Sequence, residues 1–118
     1  VKTGIAILAA AFPTVTVSDE MPKVRPLRMI RVSQVNGARP NPVSSVHRLL
    51  IEIYAPHTVV EQMCADASAA LRNSGGVAFG GVFSRGWSGE QGPVDDPDPD
   101  VTDLSRWQFH GDLTLAVP

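Results

Sequence analysis

The stretch from Arg48 to Arg72 constrains this chain most, because within it a period of two gives way to a period of three to four. In Arg48-Leu49-Leu50-Ile51-Glu52-Ile53-Tyr54, the side chains of Leu49, Ile51 and Ile53 fall on one side of an extended ribbon, and those of Arg48, Glu52 and Tyr54 on the other. That alternation predicts a half-buried strand. Ala55-Pro56-His57 breaks it. Thr58-Val59-Val60-Glu61 then has the spacing of a capping box, whose hydroxyl and carboxylate would each satisfy an N–H of a first helical turn. Val59, Val60, Met63, Cys64, Ala67, Ala70 and Leu71 recur at helical spacing, and Gly75-Gly76 after Arg72 supplies the stop.

The same reasoning sets the remaining elements. Gly4 to Phe12 predicts a short helix with Ile5, Leu8 and Phe12 on one face and Pro13 closing it. It follows a single lysine and is too short to span a bilayer, so it reads as part of the fold and not as a signal peptide or anchor. Residues 15–18 and 27–35 alternate as strands, separated by a connection containing Pro22 and Pro26. Residues 77–87 read as one strand bulged at Gly80-Gly81. The clearest strand covers 107–117, where Trp107, Phe109, Leu113, Leu115 and Val117 alternate with polar residues and Gly111 leaves room for a neighbour.

Two stretches, 36–46 and 86–105, read as long polar loops; the second carries Pro93, Pro97 and Pro99 among five aspartates. The order α-β-β-β-α-β-β predicts one α+β domain over residues 1–118: a two-layer sandwich of a mostly antiparallel sheet with helices on one face.

The chain holds 118 residues, enough for one core, and its formal charge of −2 argues against a dedicated nucleic-acid binder. The single cysteine, Cys64, excludes an internal disulfide and lies on the apolar helix face, as a small core residue would. No phosphate-binding glycine loop is present. His47, His57 and His110 lack metal-ligand spacing, and Ser44-Ser45 near His47 lacks the glycine elbow of a nucleophile. Asp96-Pro97-Asp98-Pro99-Asp100 has the alternate carboxylates of a calcium loop, but Val101 and Trp107 stand where that loop needs glycine and glutamate. A plain solvated loop, or a charged contact surface for a partner protein, is the better reading of this segment, and its proline stiffness favours contact over catalysis.

The order of these motifs resembles the tail terminator proteins of long-tailed bacteriophages. The resemblance is carried by the N-terminal helix, the arginine-rich run Arg25 to Val32, and Arg39-Pro40-Asn41-Pro42-Val43 before the strand Leu49 to Ala55. It continues through the alanine-rich helix ending at Arg72 and through Gly92 to Pro99 before Trp107-Gln108-Phe109. It implies a structural virion protein of the tail neck, assembled in the host cytoplasm, with no enzymatic activity, cofactor, metal or membrane. It also implies a hexameric ring that ends tube growth and joins the tail-tube protein to the head-closure or connector protein, with DNA passing through the lumen unbound. A head-closure or neck adaptor of the same virion is the alternative, and a small metal- or ligand-binding enzyme domain using His110, Asp112 and the acidic loop is a second. Ring closure requires one patch to meet a different patch on the neighbour. Arg39, Asn41, Arg85, Trp87, Asp95, Asp96, Asp98, Asp100 and Asp103 are the candidate interface residues.

Overall fold

The computed structural model describes residues 1–22, 26–41, 43–100 and 103–116, the side chains of 39–41 excepted. Its centre is the strand expected around Leu49. This strand, β3 (Ser44–Ala55), is flanked by β2 (Met29–Asn41) and β6 (Ser105–Ala116), both antiparallel to it. Beyond β2 lies β1 (Thr16–Ser18), paired in parallel; beyond β6 lie β5 (Val82–Asp95) and β4 (Ala78–Phe79). One six-stranded sheet of order β1-β2-β3-β6-β5-β4 results.

The register explains why one face is apolar. Val32 stands opposite Ile51, Ile51 opposite Phe109, and Ile53 opposite both Ile30 and Trp107. Period-two alternation therefore aims all the apolar sets to one side. There they meet α1 (Lys2–Ala11), through Ile7 and Leu8, and α2 (Val60–Arg72), through Val60, Met63, Cys64, Ala67 and Leu71. Burying each of the larger side chains stabilises the fold by about 1.5–3 kcal/mol relative to exposure. The α+β class and the placement of helices on one face follow from this contact.

Four expectations are corrected. The capping box does not form: α2 begins at Val60, and the Pro56 carbonyl accepts the N–H groups of Val59 at 2.9 Å and Val60 at 3.2 Å, so no side chain caps the helix. Gly80-Gly81 is not a bulge within one strand. Both glycines take positive φ, 57° and 81°, in a two-residue turn that joins β4 to β5 and adds a strand to the expected order.

The loop expected at 36–46 is mostly strand, because β2 and β3 continue as a hairpin in which Gly37 pairs with His47 and Ala38 with Val46. Pro40 falls in the irregular step between the Ala38 and Asn41 pairs, where a missing N–H breaks no regular ladder bond. The loop expected at 86–105 is strand as far as Asp95, and strand begins again at Ser105. β5 runs to Asp95 because Gly86, Gly89 and Gly92, at φ 135°, 65° and 106°, let it step out of register and resume pairing with β6. Val117, expected in the last strand, and the Val101 of the calcium-loop reading lie outside the described residues.

Candidate functional site

The face of the sheet away from the helices carries the concentrated polar chemistry. β3 contributes Glu52 and Tyr54, β6 contributes Arg106, and β2 contributes Arg31, neighbours because Glu52 pairs with both Arg31 and Gln108 while Tyr54 pairs with Arg106. Arg106 sits at the hub. Its Nη1 lies 3.2 Å from Glu52 Oε2 and 3.7 Å from Asp98 Oδ2, its Nη2 lies 3.4 Å from Asp96 Oδ2, and its Nε–H donates to the Asp96 carbonyl at 2.7 Å. Arg31 Nη1 reaches Glu52 Oε1 at 3.9 Å. The Glu52 side chain is only 8% exposed, so these cations compensate a charge that water scarcely reaches.

The Tyr54 hydroxyl donates to Asp98 Oδ2 at 3.0 Å. Burial first, and the charges of Asp98 and Glu52 with it, hold that phenol above its usual pKa, so it stays a donor. Below the hydroxyl, Tyr54 and Met29 form a small apolar cluster closed by Met21 and Leu104. Asp96, Asp98 and Leu104 are thus held against the sheet at one end.

Further along the same face, Arg48 grips Asp112 through Nε at 3.1 Å and Nη2 at 3.3 Å. That pairing takes Asp112 away from the ligand set expected with His110. His110 instead borders a hollow of about 420 Å³ with Gln91, Asp95, Asp96 and Gln108. Among the described residues, no three His, Cys, Asp or Glu side chains group as metal ligands. On the helix side, His47 Nε2 lies 2.9 Å from Ser45 Oγ and its Nδ1 3.1 Å from Gln34 Oε1. Burial depresses the His47 pKa, so the ring is neutral near pH 7, accepting from Ser45 and donating to Gln34. Ser45 lies near the start of β3, opposite Leu115 of β6 and beside the irregular step between the Ala38 and Asn41 pairs, in extended strand and not at the strand-to-helix elbow that presents a nucleophile.

The expected interface residues separate into distinct surroundings. Arg85 is exposed at the first register step of β5, and Asp95, Asp100 and Asp103 are exposed at the other end of that strand and in the segment beyond it. Asp96 and Asp98 face Arg106, as described. Arg39 and Asn41 lie at the far end of β2, and their side chains are outside the described residues. Trp87 is a core residue, 9% exposed: it packs edge-on against Phe109 at 6.4 Å, fills the space over Gly111, and donates from Nε1 to Glu90 Oε1 at 2.9 Å. Its surface role is withdrawn. The hub of Arg106, Glu52 and Tyr54 escaped the sequence analysis; its signal was opposite charges at outward positions of two strands, legible only once their pairing is known.

Cys64 is buried, and burial raises its thiol to a pKa of about 11, as befits a core residue. A groove of about 620 Å³ runs between the end of α1 and α2, lined by Phe12, Val15, Met63 and Ala70 with Arg28 and Asp66. Among the described residues, no helix is long and apolar enough to cross a membrane.

No protein-family model matches the chain, and no curated protein matches it. Among solved structures, a chain from the virion of a native gene transfer agent (GTA) particle is similar to it. That match has a TM-score of 0.65 at 18% sequence identity and covers 95% of this chain and 86% of the other. At that identity the likeness shows a shared fold.

Proposed function

We propose that this chain is a structural protein of a phage-like virion, and within it the tail terminator, whose hexameric ring caps the tail tube and joins it to the head-closure protein. The observation that carries this reading is the fold shared, over nearly the whole of both chains, with a component of a gene transfer agent virion. The chemistry of the open face supports it. Its strongest charges are matched to one another, Arg106 to Glu52 and Asp96, and Arg48 to Asp112, an arrangement that stiffens a sheet. A formal charge of −2 suits a ring through which DNA slides.

The test is reconstitution with the tail-tube protein, followed by negative-stain imaging and mass measurement. Rings at tube ends and arrested tube growth are expected. A protein that stays monomeric while tubes lengthen unchecked overturns the reading. Rings that bind the head-closure side and ignore tubes would identify a neck adaptor instead.

A further inference from the structure

The two ends of β5 differ in charge, and each exposes apolar surface. At its start, the β4–β5 turn leaves Val77 46% and Phe83 43% exposed. The C-terminus of α2 is stitched to this rim, with Gly76 N–H donating to the Ser84 carbonyl at 2.8 Å and the Ser74 and Ser84 hydroxyls 3.1 Å apart. Arg72 and Arg85 are exposed there, and neither forms an ion pair among the described residues. At the other end of β5, Val94 is 56% exposed beside Asp95, and Asp100 and Asp103 follow on the connection to β6. None of these three carboxylates has an ion-pair partner among the described residues.

The two sets cannot satisfy each other within one molecule. Ser84 pairs with Leu115 and Asp95 with Trp107, so the two ends of β5 are held apart by eight steps of the regular strand β6, roughly 27 Å at about 3.4 Å per residue. That is several screening lengths in physiological salt, about 8 Å each. A second copy can bring them together.

Resting on the ring reading above, we infer that the rim of Phe83, Arg72 and Arg85 on one copy docks on the end formed by Val94, Asp95, Asp100 and Asp103 on the next. The contact is heterologous, the kind that closes a ring when its rotation permits. Apolar side chains at its centre and unlike charges around them match the layout of specific interfaces, where charge complementarity sets register and suppresses wrong pairings.

Two charge-reversed variants test this: Arg72→Glu with Arg85→Glu, and Asp100→Lys with Asp103→Lys. All four positions are exposed, and circular dichroism verifies that each variant folds. Under conditions where the wild-type chain forms rings, each variant alone should lose rings by about tenfold or more, since each then opposes like charges. Mixing the two should restore rings, because every junction in an alternating ring again joins unlike charges. Rings from either variant alone, or no recovery on mixing, overturns the inference while leaving the ring reading intact. Absence of rings from the wild-type chain with tail-tube protein strikes at the reading itself. Independently, Phe83→Cys with Val94→Cys should give an oxidised ladder of linked chains, and its absence also overturns the inference.

Discussion

Trp87 lies across Gly111 on the neighbouring strand, its ring carbons occupying the space where a Cβ at position 111 would stand. No positive φ is involved there, so the glycine answers to packing alone. Gly111→Ala should lower stability by about 1–3 kcal/mol, the range for overfilling a packed core. Urea denaturation measures it. Trp87→Phe in the same chain should recover part of that loss, a coupling a double-mutant cycle would register.

Arg106 holds together a buried carboxylate and the acidic connection. Arg106→Met would leave Glu52 with Arg31 at 3.9 Å as its remaining cation. The expected loss is roughly 3 kcal/mol, the low end for breaking a buried pair because Arg31 stays. Hydrogen exchange should show the Asp96 amide, which donates to the Arg106 carbonyl at 3.0 Å, losing protection beyond the global change.

His47 sets a pH dependence. Burial, with the positive charge at the chain's first residue, holds its folded pKa below 6.5, so the unfolded chain takes up the proton more readily. Stability should therefore be full above about 6.5 and fall as pH drops below it. His47→Gln should flatten that slope, read from urea midpoints at about pH 7.5 and pH 5.

Cys64 works at the alkaline end. With the folded thiol near 11 against an ordinary 9.0, the unfolded chain releases its proton first, so stability should decline as pH rises from 9 towards 11. Iodoacetamide at about pH 8 should label the denatured chain quickly and the native chain slowly.

What the sequence disclosed tracks the strength of local patterning. Leu49, Ile51 and Ile53 alternate without interruption, and α2 repeats its apolar residues over three turns; both elements were legible because their burial is continuous. Gly80-Gly81 reads as a bulge and is a turn, since paired glycines serve either and only the strand on each side decides. Residues 86–95 hid as a loop because that strand is paired along one side for most of its length and carries glycine and proline where the pattern needs β-branched residues. Of the expected interface residues, Arg85, Asp95, Asp100 and Asp103 are exposed. Trp87 is not, because an indole facing a glycine on the next strand is core, and that juxtaposition depends on register.

The kinks of β5 at Gly86, Gly89 and Gly92 bear on how this molecule avoids runaway self-association. A long strand paired along only one side for most of its length would, left straight, offer its amides and carbonyls as a template for any passing chain, and stacking by that route has no natural end. Stepping the backbone out of line every few residues, with Pro93 removing one donor, spoils the template. Any contact between copies would then fall to side chains, whose geometry can fix a finite number of members.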